Sequence, residues 1–415
     1  MQVPIRTSVL MIAGEVSGDL HTAMLARKLM ERHPEWELHA LGGPHLRKAV
    51  AESPGSCFLG DTSDCSAIGI LSSARVYFRC RELGRRVLDF VQAHPVDAVI
   101  LCDWGGFNGR LLPQLHRIGI PVLYYFPPRS WQRTGFAGLD IARFVTRVAT
   151  PFQWSANRLR TAGCSAEWVG HPLIENVQPA ETREALRAEF RVEGNQPLIG
   201  LLPGSRRSEI RILAPRLAEA ARRLNTKRSL RFAAVVPNAM RQEAESCLPE
   251  WIPVFTERAG DLLRACDVAI VKTGTATLEA VLAGAPQLAV YDVSPAQRLE
   301  WCLLWAWKRI PYIAMPNIIL QRAAVPELLG LNCRPDKIEN WVTKLLDDED
   351  VRGQMFSDYS EIRRALGSEL PISATERTAE LLEEMLVGAE AVRSQSHSAL
   401  RQRQWKPPPI TAPTH

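Results

Sequence analysis

Short apolar runs alternate with longer stretches of helical spacing along most of this chain, and that alternation leaves few folds open. Residues 8–12, 38–41, 98–102 and 121–125 are strand-like, and 21–32 has the spacing of an amphipathic helix. Unbroken apolar runs of this length suit strands covered on both faces, as in parallel sheets. After a polar segment at 178–196 the alternation resumes at 198, with further runs at 231–236, 268–271 and 287–291. The pattern predicts an α/β chain of two doubly wound domains facing a cleft. A length of 415 residues suits two domains with cores of their own. The expected boundaries are a first domain at 1–173, a second at 174–345, C-terminal helices at 346–387 and a flexible tail at 388–415. The two domains join near Gly170-His171-Pro172, and the tail carries Arg401, Arg403, Lys406 and three prolines.

Composition narrows the partners. A net charge of +5 fits an anionic ligand or membrane surface and is too small to argue for nucleic acid. The nine cysteines are scattered without a CxxC unit, which reads as free thiols in a reducing compartment. The apolar run before Gly14-Glu15 is too short for a signal peptide, and no stretch reaches the length of a membrane span. The expectation is a cytoplasmic protein able to touch a membrane surface.

In doubly wound sheets, ligands bind outside the carboxyl ends of the strands. Two glycine turns stand at such places: Leu202-Pro203-Gly204-Ser205-Arg206, and Lys272-Thr273-Gly274-Thr275-Ala276 ahead of Glu279. Each follows an apolar run and opens a helix. Unpaired amides at a helix start, aided by the helix dipole, seat phosphate oxygens, and a pair of such turns suggests a diphosphate. Arg206 and Lys272 add positive charge; the plainer role for Arg206 is a salt bridge to Glu209. Glu279 suits a ribose diol or is a solvated helix residue. In the first half, Gly14-Glu15-Val16-Ser17-Gly18-Asp19-Leu20-His21 is another strand-to-helix turn. Glu15 faces the cleft there, His21 lines it or starts a helix, and Ser17 or Asp19 can cap that helix. Asp103 ends a buried run, where a carboxylate either takes a proton from a hydroxyl or caps the helix starting near Asn108. His171 is a hinge residue or a cleft residue. Trp301, Trp305 and Trp307 beside Lys308-Arg309, and the stretch 68–78 with Arg75 and Arg79, suit an acyl chain, a membrane contact or a buried helix.

Taken in order, these motifs resemble the lipid-A-disaccharide synthase family. Ala13 to Asp19 is similar to its AGE-x-SGD signature, and Val169-Gly170-His171-Pro172-Leu173, both glycine turns and Met315-Pro316-Asn317 follow in the family's sequence. The resemblance runs over about residues 8–386. It implies a GT-B type α/β fold of two Rossmann-like domains with C-terminal helices. The implied enzyme is a glycosyltransferase that moves 2,3-diacylglucosamine from UDP to the 6-hydroxyl of 2,3-diacylglucosamine 1-phosphate (lipid X). The β-1′,6 product means inversion. It also implies no metal or cofactor, a location peripheral to the inner membrane, and a homodimer in some members. On this basis Asp103, with Glu15 as rival, is the expected base. Gly204, Ser205, Arg206, Lys272, Thr273, Gly274, Thr275, Ala276 and Glu279 are expected on the UDP-sugar. Ser17, His21, Asn317 and Trp131 are expected on the acceptor side. The chain departs from the family pattern at Gly106, where a second aspartate is usual, and around Trp131. These departures keep open a UDP-sugar- or lipid-binding protein without turnover, and another GT-B enzyme such as a UDP-GlcNAc epimerase or a transferase of wall precursors.

Overall fold

A computed structural model describes residues 7–65, 70–131, 139–176, 181–293 and 311–402. The first half runs β1 (Ser8–Ala13), α1 (Val16–Arg32), β2 (Glu37–Gly42), α2 (Pro44–Val50), β3 (Phe58–Asp61), α3 (Ile70–Ala93), β4 (Ala98–Cys102), α4 (Gly105–Ile118), β5 (Val122–Tyr125), β6 (Arg147–Thr150), α5 (Gln153–Thr161) and β7 (Ala166–Trp168). Its strands form one parallel sheet in the order β3-β2-β1-β4-β5-β6-β7. The apolar runs demand this arrangement, because each strand must be covered on both faces. In β1, Val9, Met11 and Ala13 enter one core while Leu10 and Ile12 enter the other. Each of the larger four, fully buried, is worth about 1.5–3 kcal/mol.

The second half runs α6 (Arg183–Glu189), β8 (Leu198–Leu202), α7 (Arg207–Lys227), β9 (Arg231–Val236), α8 (Arg241–Cys247), β10 (Val254–Thr256), α9 (Ala259–Ala265), β11 (Val268–Lys272), α10 (Ala276–Ala283), β12 (Gln287–Tyr291), α11 (Met315–Leu320) and β13 (Glu327–Leu329). The second parallel sheet has the order β10-β9-β8-β11-β12-β13. Then come α12 (Pro335–Asp347), α13 (Glu349–Ala365) and α14 (Ala374–Gln402). The molecule is thus α/β with two Rossmann-like sheets.

Strand order reverses between β1 and β4 in one sheet and between β8 and β11 in the other. The loops leaving those four strands carry Glu15, Asp103, Arg206 and Gly274, so all four singled-out turns sit at switch points, where such sheets bind ligands.

The chain crosses between the halves twice, side by side. The His171 amide donates to the Leu366 carbonyl at 2.8 Å, and a Cβ on Gly367 would lie 2.9 Å from the Gly170 Cα. After the second crossing α14 returns to the first sheet, where Ala379, Leu382 and Met385 join its core. Arg32 grips Glu383 through two 2.7 Å hydrogen bonds. The helix continues past Gly388 to Gln402, into the stretch expected to be a tail. Residues 403–415 lie outside the described residues, as do Trp301, Trp305, Trp307 and residues 66–69. Tyr77 and Phe78, from the second aromatic stretch, are exposed on α3. Among the described residues no helix is long and apolar enough to cross a membrane.

Candidate active site

Asp103 and Trp104 both take the left-handed conformation, φ 44° and 47°. For residues with a Cβ this costs on the order of 1–3 kcal/mol each and persists only where the surroundings enforce it. Here three hydrogen bonds do so. The Asp103 amide donates to the Phe126 carbonyl at 3.0 Å, while its own carbonyl accepts from Tyr124 Oη at 2.7 Å and Asn108 Nδ2 at 2.8 Å. Trp104 stacks on Phe107, with ring centroids 4.0 Å apart, and closes over Gly14. A Cβ on Gly14 would fall 2.0 Å from the Trp104 indole, so that glycine is required by the close approach. Asn108 is therefore a brace for the Asp103 turn. The Asp103 side chain makes no cap for α4, whose preceding position is Trp104.

Burial pushes the Asp103 carboxyl up to about 7, with the charge of Glu15 adding to the rise. Glu15 is exposed and precedes α1 without capping it. Asp19, expected as a cap of its own helix, serves another. Its carboxylate accepts the amides of Gly43, His45 and Leu46 at 2.7, 2.9 and 3.1 Å, closing the start of α2. His21 is buried, stacked on Phe126 at 4.8 Å and edge-on to His171 at 5.1 Å. Burial brings its pKa down to about 4, and that of His171 falls well below the usual value, so both rings are neutral at pH 7.

Across the cleft, the first glycine turn departs from expectation. The amides of Ser205 and Arg206 donate to Glu209 at 3.1 and 3.3 Å, and Lys272 Nζ pairs with the same carboxylate at 2.7 Å. A carboxylate one turn into the helix is the nearest anion, and it fills the seat proposed for phosphate. The Arg206 guanidinium is 3.9 Å from Glu209 and half-buried. The second turn is open. Thr273 is tied into the sheet by its amide to Val290, and Gly274, at φ 144°, turns the chain so that its carbonyl accepts from Thr277. Among the described hydrogen bonds the amides of Thr275 and Ala276 find no acceptor at the start of α10. Glu279, on the same helix, has its carboxyl raised by burial.

A cavity of about 200 Å3 joins the halves. Ser17, His21, Asp103 and Trp131 reach it from one side, Gly274 and Thr275 from the other. Arg206, Lys272 and Glu279 do not line it. Nor does Asn317, which corrects its expected cleft role: it is 1% exposed and fully engaged. Its Nδ2 donates to the Val325 carbonyl at 2.8 Å and to Glu327 at 2.7 Å, and its Oδ1 accepts from the Val325 amide. The residue fastens α11 to β13 because a buried amide must satisfy its donors and acceptor. His171 lines the cavity, one of its two expected roles, and so do Phe126, Arg129 and Ser130, which were not among the expected site residues. The one sequence signal for that loop is Pro127-Pro128, which forces the backbone to turn; Phe126 and Arg129 flank it at φ 55° and 56°.

The sequence pattern described as lipid-A-disaccharide synthetase matches residues 9–380. The lipid-A-disaccharide synthase of Geobacter sulfurreducens is 32% identical over 389 residues, 91% of this chain and 97% of the relative. That of Myxococcus xanthus has the same identity and coverage. Among solved structures, a UDP-glucosyltransferase from Polygonum tinctorium superposes with a TM-score of 0.60 at 14% identity, over 93% of this chain and 99% of that one. The UDP-GlcNAc 2-epimerase of Neisseria meningitidis gives 0.57 at 12% identity, over 92% of this chain and 100% of its own. These structures share the GT-B fold, and sequence relatives and motif order together decide the rest: the chain belongs to the lipid-A-disaccharide synthetase family, glycosyltransferases of lipid A synthesis.

Proposed function

We propose that this protein transfers 2,3-diacylglucosamine from UDP to the 6-hydroxyl of 2,3-diacylglucosamine 1-phosphate, with inversion at the transferred anomeric carbon, at the cytoplasmic face of the inner membrane. The observation that carries the reading is a carboxyl group with pKa about 7, held by a strained turn, in one cavity with Thr275, whose amide is open at the start of α10. A base with a pKa near the working pH is well matched to proton abstraction. The ionised Asp103 takes the proton of the acceptor hydroxyl. The hydroxyl oxygen forms a bond to the anomeric carbon as the bond from that carbon to the phosphate oxygen breaks. UDP leaves as an anion, and fixed positive potential counts for most at that point. The Thr275 and Ala276 amides, Lys272 and Arg206 supply it, and Glu279 holds the ribose. Ser17, His21 and Trp131 shape the acceptor side.

The test is to incubate the purified protein with both acylated substrates and weigh the product. A disaccharide monophosphate that vanishes in Asp103→Asn, with UDP affinity kept within twofold, is expected. An Asp103→Asn variant as active as the parent, or UDP-GlcNAc epimerised without any disaccharide, would overturn it.

A further inference from the structure

We propose that the cavity between α3 and α4 is the subsite for a phosphorylated lipid acceptor, with its floor on an acyl chain and three arginines on the phosphate monoester. This rests on the transfer reaction proposed above and states where its acceptor is held.

The cavity measures about 590 Å3, within the usual range for a small-molecule site. Its floor is apolar, built from Val76, Leu88, Phe107 and Leu111. One wall is Trp104, the residue that follows Asp103 in the chain. Gly106, at the second position of α4, leaves the cavity open: nothing lies within 4 Å of where its Cβ would be.

Charge is distributed unevenly around α3. On its outer side, Arg79 and Arg86 share Glu82 at 3.5 and 2.5 Å. Arg81 and Arg85, four residues apart and so on one helix face, line the cavity, and Arg110 joins them from α4. No carboxylate lines it, and among the described side chains none forms an ion pair with these three guanidiniums. Arg110 instead lies over the Tyr77 ring at 5.3 Å, a contact that leaves its N–H groups free to bind. Three unneutralised cations around an apolar bowl complement an amphiphile with one doubly charged head. A guanidinium fork binds phosphate oxygens in bidentate fashion.

Two variants of the full chain test this. Arg81→Gln/Arg85→Gln removes two cations. Arg110→Gln removes the third, from the exposed face of α4, so folding is kept. Acceptor KM is measured with 2,3-diacylglucosamine 1-phosphate and with its phosphate-free analogue. UDP binding and binding to phosphatidylglycerol vesicles are measured beside it. The expected result is a tenfold or greater rise in KM for the phosphorylated acceptor in both variants. The phosphate-free acceptor should show parent and variants alike, and UDP affinity should stay within twofold. An unchanged KM, an equal loss with both acceptors, or lost vesicle binding at constant KM (a membrane headgroup site) would overturn it. If the parent makes no disaccharide, the transfer reading fails, and equilibrium binding of submicellar 2,3-diacylglucosamine 1-phosphate judges the subsite. Binding by the parent and a tenfold loss in both variants supports it; no binding by the parent refutes it.

Discussion

Asp103 owes its chemistry to two neighbours of opposite effect. The fold withdraws it from water and sets Glu15 close by, and both raise its carboxyl pKa to about 7, while the Trp104 amide pulls the other way. If it is the base, kcat/KM should rise with pH along an acid limb centred near 7. Glu15→Gln removes one source of the rise, so the limb should move to lower pH with activity retained. A pH–rate profile decides this, and activity abolished in Glu15→Gln would make Glu15 the base instead. The same shift has a stability sign. The folded pKa lies above the ordinary 3.8, so Asp103 contributes stability that is fully present below that value and is lost as pH rises through about 7.

At the scale of elements, the turn after β1 and the turn after β4 lock each other. Trp104 fits only over a residue without Cβ, and it shares its left-handed conformation with Asp103 in one turn. Gly14→Ala should therefore displace the indole, lower stability by about 1–3 kcal/mol and cut activity more than tenfold. Gly109→Ala, inside α4 with nothing within 4 Å of its Cβ, is the control. It should be neutral or stabilising by up to about 1 kcal/mol, as alanine is in helix interiors. Denaturant titration and initial rates separate the two; a Gly14→Ala enzyme indistinguishable from the control would show that the turns are independent. The glycine turns of the second half are unlike in the same way. One is closed by its own Glu209, the other opens onto the cleft, and only hydrogen-bond partners tell them apart.

At the scale of the molecule, the second half ends by supporting the first. α14 leaves the crossing at Gly367 and completes the core beneath β1 and α1. Leu382 is fully buried there, whereas Val387, one turn on, is 68% exposed. Leu382→Ala should cost about 2–5 kcal/mol and Val387→Ala close to nothing, as read from urea unfolding. Equal midpoints for the two variants would mean that α14 is not part of the first core.

Much of this was legible from residues alone. Continuous apolar runs can be buried only between two layers, so the parallel sheets follow from local chemistry, and the turns that end the runs mark the switch points. Other assignments needed the folded chain. Asp19 caps a helix 24 residues away, Asn317 turns inward to fasten a strand, and Glu209 takes amides that look free in the sequence. The physical reason is common to all three. A polar side chain is committed by whichever donor or acceptor lies within about 3 Å, and that neighbour is set by packing across the molecule, where spacing along the chain carries no information.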